Sequence, residues 1–374
     1  MLAGREIRRA KVRFGLLAGA VGLLVFLIMF QQALLGSLLK SFTGAIENQS
    51  AQVLVYSAEA RKNVAGSVIP PPTQDAVEAV DGVGSSAPLG EATLTVAAGG
   101  EQVDASVFGF ELGGPGEPTR LTDGRLPTGP TEVVASGEDA DDGFALGDEV
   151  TSVSGDVVLT VVGLTEESRF SVAPTLWVTF DGYEALRRAA NPDAQGVLPS
   201  LVALIPADGV SPSELAGRIN AQVPDVEALT RAEAVSEAPG VSAVNTSFQL
   251  ILGLAFVVVA LVIGFFFLIL TVQKLDSLTL LRAVGAPTGY LVRALLTQIA
   301  FVVGGGLVVG VALTVLAVRG ASAGLPISLD PVTLGLLAVG VLVLAALGSV
   351  VTLVRVARID PAGVVSRQNL GGLS

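Results

Sequence analysis

The chain has neither cysteine nor histidine in its 374 residues. Without thiols no disulfide can form, so any part folded outside the cytoplasm must be held by packing alone. The same two absences remove imidazole acid–base catalysis, thiolate nucleophiles and nearly all zinc chemistry. Lysine is scarce as well. Lys11, Lys40, Lys62 and Lys274 are all there are, and none follows a Gly-x-x-x-x-Gly, so the sequence contains no phosphate-cradling loop. Charged residues make up only 15% and hydrophobic ones 51%. A soluble domain carries about 25% charge, which directs attention to where the charge is missing.

It is missing from four blocks, residues 14–39, 248–272, 294–318 and 331–354. Roughly 20 apolar residues cross a bilayer as a helix, and a charge at the bilayer centre costs about 3 kcal/mol. The pattern predicts an α+β membrane protein with four transmembrane helices, arranged one and then three, and a large mixed α/β extracytoplasmic domain between the first and second. The expected order is a cytoplasmic segment 1–13, the first span 14–39, an outer domain 40–247 and the second span 248–272. A cytoplasmic loop 273–293, the third span 294–318, an outer loop 319–330, the fourth span 331–354 and a cytoplasmic tail 355–374 follow. The first block is longer than the roughly 7–15 residues of a signal-peptide core, which favours an uncleaved span. No span holds an ionisable side chain, against the habit of ion-coupled transporters. Gly304-Gly305-Gly306 with Gly310 sits inside the third span, where small residues let helices pack closely.

Charge is also divided unevenly. Residues 41–247 hold nine Lys/Arg and thirty Asp/Glu, 9 − 30 = −21, and the rest of the chain carries 13 − 4 = +9. An acidic domain on this scale argues against nucleic-acid binding. Arg5, Arg8, Arg9, Lys11 and Arg13 precede the first block, Lys274, Arg282 and Arg293 separate the second and third, and Arg355, Arg358 and Arg367 follow the fourth. The positive-inside rule places all three groups in the cytoplasm, with both termini inside a multi-pass cell-membrane protein.

In the outer segment, residues 41–64 read as a helix continuing outward from the first span, ended by Pro70-Pro71-Pro72. Residues 92–98, 157–163 and 175–180 read as strands, as do 201–205 and 226–229. Asp181 with Glu184, Ser211 with Glu214, and Thr230 with Glu233 have the spacing of helix starts. A further helix is expected to run from residue 241 into the second span. The run Glu138-Asp139-Ala140-Asp141-Asp142 fits no EF-hand spacing and reads as a solvated loop rather than a metal site.

The loop between the second and third blocks is the most specific feature. As a helix, Leu278, Leu281 and, one turn on, Gly285 lie along one side, with Leu275 and Arg282 nearby. Gly285 suits a helix C-cap and Pro287 blocks continuation. Exposed leucines at a cytoplasmic turn suit either a partner protein or the lipid surface.

Here the chain resembles the MacB/FtsX-like ABC transporter permease family, with its MacB-type periplasmic core domain and FtsX-like transmembrane domain. The resemblance rests on Leu280-Leu281-Arg282-Ala283-Val284-Gly285-Ala286, on Tyr290-Leu291 through Leu295-Leu296-Thr297-Gln298, and on Val356-Ala357-Arg358-Ile359-Asp360-Pro361-Ala362. Outside the spans it rests on Gly124-Arg125-Leu126-Pro127, Glu132-Val133-Val134, Leu146-Gly147-Asp148-Glu149-Val150 and Val161-Val162-Gly163. The sequence departs from the family at Asp276, Ser277 and Gln298, where a basic residue, a Glu and another Glu are common.

The resemblance implies a non-enzymatic permease subunit without a cofactor of its own. ATP and Mg would be held by two copies of a separate ABC ATPase, docked on Leu278, Leu281, Arg282, Ala283 and Gly285. It also implies a second permease copy, identical or a related paralogue, besides membrane lipid, and an extracytoplasmic lipoprotein or hydrolase as a further partner. The expected activity is mechanotransmission, in which ATP hydrolysis moves the outer domain to extrude a lipid, lipoprotein, peptide or hydrophobic drug. The alternative is a transmembrane regulator that activates a cell-wall hydrolase and transports nothing. A third reading, an adhesion or sensor protein without an ATPase, would be removed by an ABC ATPase gene beside this one.

Overall fold

The computed structural model describes residues 11–155, 157–193, 196–283, 288–320 and 331–357. In chain order the elements begin with α1 (Lys11–Glu47), β1 (Val53–Ser57), α2 (Pro71–Glu78), β2 (Val83–Ala98) and β3 (Glu101–Phe110). Then come β4 (Leu121–Gly124), β5 (Glu132–Ser136), β6 (Glu149–Ser152), β7 (Val157–Thr165), β8 (Thr175–Thr179) and α3 (Phe180–Ala190). The rest are β9 (Leu201–Pro206), α4 (Pro212–Gln222), β10 (Val226–Thr230), α5 (Arg231–Ser236), α6 (Val241–Ala283), α7 (Thr288–Gly320) and α8 (Pro331–Ala357). They form two compact units, Met1–Ser37 with Thr246–Ser374, and Leu38–Asn245.

Three stretches, in α1, α6 and α7, are long and apolar enough to cross a membrane: Phe14–Glu47, Val241–Phe265 and Ala300–Gly320. A shorter apolar stretch, Pro331–Leu347, belongs to α8. Val21, Val25 and Ile28 of α1 share one core with residues of the other three helices, such as Ile263, Val303 and Val341. Lipid is as apolar as these side chains, so burial alone gives little reason to associate, and close backbone approach supplies dispersion contact instead. Glycine permits that approach. A methyl on Gly306 would fall 2.7 Å from Cγ1 of Val21, one on Gly310 2.5 Å from Cγ1 of Val25, and one on Gly22 2.8 Å from Cγ1 of Val309. Knobs from each helix thus enter glycine notches on the other. Gly304 has open space around it.

The second unit is built on one ten-stranded sheet, with path β10-β1-β9-β2-β3-β8-β5-β7-β4 and β6 joining β2 to β7. The 16-residue strand β2 organises it. Up to Leu89 it pairs with β9, and from Gly90 to Ala98 with β3. The pairings β2-β3-β8-β5-β7-β6-β2 close a ring. Its core takes alternate residues such as Leu94, Val96, Val133, Val161 and Leu176, as the period-two geometry of strands requires. On the wall of this ring Gly124 pairs with Gly163, and Gly147 N donates to Val161 O at 2.8 Å. Arg125 grips Glu132 through Nη1–Oε2 at 2.7 Å and Nη2–Oε1 at 2.5 Å. With Thr128 N also donating, the Glu132 carboxyl is held down at about 2.

The remainder, β10-β1-β9 and the first half of β2, is covered on both faces. One face places Val53, Val55 and Leu204 against Val77 of α2 and Leu215 and Ile219 of α4. The other packs Leu54, Tyr56 and Ala203 with Ala45 and Ile46 of α1, Ala234 of α5 and the rings of Phe108, Phe170 and Trp177.

Several expectations are corrected. No helix spans 41–64: α1 ends at Glu47, and Val53–Ser57 is strand β1. Val53, Leu54, Val55 and Tyr56 all need burial, and a strand between two packed layers buries both its faces, whereas a helix would leave a side in water. Pro70-Pro71-Pro72 opens α2 rather than ending a helix, with Pro71 at a position where a missing N–H costs nothing. The start of α3 is capped by Thr179, whose Oγ1 accepts from Gly182 N at 3.2 Å, not by Asp181. Ser211 and Thr230 cap as expected, the latter in a reciprocal capping box with Glu233. The acidic run is not simply solvated, because Asp139 is 3% exposed.

If the glycine notches hold α1 against α7, Gly310→Leu should destabilise the purified protein by about 1–3 kcal/mol through overpacking. Gly304→Ala should be neutral. Thermal melting in detergent checks both.

Candidate functional site

The end of α1 is where a membrane helix becomes part of the sheet domain. Lys40 is the first charge after the uncharged run 14–39. From there the helix enters a clasp formed by residues 166–173. Val172 N donates to Ser41 O at 2.8 Å, Ser171 N to Phe42 O at 3.1 Å, and Ala45 N to Arg169 O at 3.2 Å. These bonds tie the loop to the last turns of the helix at backbone atoms of both. Asn48 Nδ2 donates to Glu167 O at 2.5 Å, and Lys40 forms an ion pair with the Glu167 carboxylate. Such proximity needs Gly44, since a methyl there would lie 2.3 Å from Glu167 O.

The clasp is strained. Glu167, Ser171 and Val172 all have left-handed backbones, with φ of 51°, 52° and 63°. Each costs about 1–2 kcal/mol, and a β-branched residue such as Val172 is a rare occupant of that region. Strain of this kind persists only where the surroundings enforce it. Here the enforcement is a buried ion pair. Arg169 Nε donates to Asp139 Oδ2 at 3.1 Å, with side chains 14% and 4% exposed. Ser136 Oγ also donates to Asp139, and Thr175 N donates to Ser136 Oγ at 3.1 Å. Glu138 accepts from Glu167 N, and its burial pushes the carboxyl up. Glu167 also pairs with Arg120. Sequence reasoning missed this loop. The signal available was Arg169, a lone cation in an acidic stretch, opposite a carboxylate run thirty residues away.

A second buried carboxylate lies where β2 changes partners. Gly90 and Gly109 are paired, and Tyr183 covers both: a methyl on Gly90 would sit 2.3 Å from ring atom Cε1, and one on Gly109 2.3 Å from Cβ. Tyr183 Oη donates to Glu91 O at 3.0 Å. The Glu91 side chain is 5% exposed and neither carboxylate oxygen has a hydrogen-bond partner. Burial pushes it up to about 7, against the opposing pull of Arg187.

Of the residues expected to meet an ATPase, Leu278, Leu281, Arg282 and Ala283 form the final described turns of α6, continuous with Val241. Gly285 lies outside the described residues.

An apolar helical unit carrying a large α/β domain between its first and second membrane helices is the build of a membrane permease subunit. A MacB-like periplasmic core domain matches residues 15–222, and an FtsX-like permease C-terminal domain matches residues 249–361. The chain therefore belongs to the MacB/FtsX-type family of ABC transporter permeases. A Mycobacterium tuberculosis (H37Rv) protein named as an uncharacterized ABC transporter permease is 30% identical over 234 residues, covering 60% of each chain. The chain thus spans about three-fifths of the length of this relative. A Staphylococcus haemolyticus protein named as the hemin transport system permease HrtB is 20% identical over 361 residues, 96% of this chain and 97% of its own. The solved periplasmic region of MacB from Actinobacillus actinomycetemcomitans aligns at 13% identity and TM-score 0.36, covering 50% of this chain and 91% of that one.

Removing one member of a buried pair strands the other charge. Arg169→Met should therefore cost about 3–5 kcal/mol in chemical unfolding, and Asp139→Asn in the same background should recover part of it. For Glu91 the folded carboxyl titrates near 7 and the unfolded one near 4.5. The folded state then holds the extra proton between these values, so stability falls as pH rises from 4.5 to 7 and is flat above. Melting curves across pH 5–8 should show that slope in the parent and a shallower one in Glu91→Gln.

Proposed function

We propose that the chain is the permease subunit of an ABC exporter working by mechanotransmission. ATP, with Mg, is hydrolysed by two copies of a separate ATPase subunit. Each seats on the 273–293 segment through Leu278, Leu281 and Arg282, with Ala283 and Gly285 shaping the end of the knob. Closure of those subunits displaces α6 and α1, and the outer domain moves with them to extrude a lipid, lipoprotein, peptide or hydrophobic drug. A second permease copy completes the assembly. In this reading α8 is a fourth span and both termini lie in the cytoplasm, as the basic clusters require.

The observation that carries the proposal is the course of α1. One unbroken helix runs from Lys11 to Glu47. Its last turn is core, with Ala45 and Ile46 at 0% and 1% exposure. A rod ending inside a packed layer transmits displacement, because close-packed interiors transmit strain rather than absorb it. Transport is favoured over hydrolase regulation by the staphylococcal relative, which aligns over nearly its whole length and is named for a transport system.

The test is Leu281→Asp in the protein reconstituted with its ATPase. Burying an unpaired carboxylate costs several kcal/mol, so ATPase association should weaken at least about tenfold, one decade per 1.4 kcal/mol. Unchanged association and coupling would contradict the docking role.

A further inference from the structure

Beside the clasp the outer domain opens into a cleft of about 560 Å³, its walls including Glu47 and Asn48 at the end of α1, Arg120 ahead of β4, and Arg231, Ala232 and Val235 of α5. Small-molecule sites occupy roughly 300–1,000 Å³. Three features of the walls narrow the occupant.

The first is charge. The segment 41–247 carries −21, yet two of its nine basic side chains meet at this one cleft, with Glu47 the carboxylate among them. The two arginines are not equivalent. Arg120 is engaged by Glu167, with Glu166 4.0 Å away. Arg231 is half-buried, and its Nη1 donates to the backbone carbonyl of Gln49 at 2.7 Å. No carboxylate pairs with Arg231 among the described residues. A guanidinium offers five N–H donors in a fork that matches phosphate or carboxylate oxygens. One is spent on positioning the group, and the rest of the fork is available to an anion.

The second feature is apolar. Ala232 and Val235 lie one helical turn apart on α5 and line the same cleft. A bare anion gains nothing from them, whereas a ligand with a methylene chain does.

The third is position. Glu47 lies seven residues beyond Lys40 on the same helix, about 10 Å at 1.5 Å per residue. If Lys40 marks the outer lipid headgroups, the cleft is within reach of molecules leaving that leaflet.

We propose that this cleft receives the anionic head of a single-chain or partly extracted amphiphile, with Arg231 binding the phosphate or carboxylate and Ala232 and Val235 meeting the first methylenes. The proposal rests on the transport reading above and makes it specific. Its ligand touches the clasped end of α1 and also α5, which Pro239 and Gly240 join to α6. Gly240, just ahead of α6, has φ of +85° and room for a side chain around it.

The test uses the full chain in dodecyl maltoside, an uncharged detergent, with binding measured by native mass spectrometry and calorimetry. Lysophosphatidylglycerol should bind, and zwitterionic lysophosphatidylcholine should bind at least tenfold more weakly. Arg231→Gln should weaken the first ligand about tenfold, and Ala232→Trp, which fills the cleft without touching a charge, should abolish binding. Arg188→Gln, at an exposed side chain of α3 away from the cleft, should change nothing. Equal binding of the two lysolipids, or binding indifferent to both cleft variants, would overturn the proposal. So would displacement by inorganic phosphate at matched concentration, which would mark a free-anion site. The outcome is separable from that of the docking test. Lysolipid selectivity that survives alongside normal coupling in Leu281→Asp would sink the docking role and leave the site, and the reverse pattern would sink only the site.

Discussion

The structure depends on one constraint: the backbone of α1 is shared between its own helix and the 166–173 clasp. The membrane helix ends inside the outer domain's core, where Ala45 and Ile46 join Leu54, Tyr56, Phe108 and Trp177. Around it, hydrogen bonds from Val172 N to Ser41 O and from Ala45 N to Arg169 O tie helix to loop at several backbone atoms. Three left-handed non-glycine residues are the cost of that tie, and the buried Arg169–Asp139 pair holds them in place. Such a joint is stiff because its parts are over-determined. Loosening any one leaves a buried charge or an unsatisfied backbone group.

The opposite connection is built differently. α5 is a short capped turn of six residues, and Gly240, which follows it ahead of α6, has a left-handed backbone with room for a side chain. The two ends of the sheet unit therefore differ: one is held in the clasp, the other closes on a glycine with a left-handed backbone.

Much of this was legible in the sequence. Uncharged runs marked the membrane helices because the bilayer penalises charge in every such segment alike. Ser211 and Thr230 announced their helices because capping is a contact between near neighbours. Gly306 and Gly310 showed their packing role through spacing alone. What could not be read was decided at long range. Residues 53–57 became a strand because β9 and β10 lie on either side, which no local periodicity in 41–64 encodes. Asp139 looked solvated because its partner is thirty residues further on. The clasp itself is made mostly of backbone atoms, and these carry no residue signature. Leu278, Leu281 and Arg282 were expected on a short helix of their own within 273–293, whereas α6 continues from Val241 through them to Ala283.

The central claim is that force enters the outer domain through the continuous helix between Lys40 and Glu47. It is tested most directly by inserting two glycines between Lys40 and Ser41 in the full-length protein, assembled with its ATPase. Hydrogen exchange at the Ser171 and Val172 amides is then followed with and without ATP. The account predicts an ATP-dependent change in the parent that disappears in the insertion variant, with ATPase binding retained. A change that persists after the helix has been interrupted would contradict it.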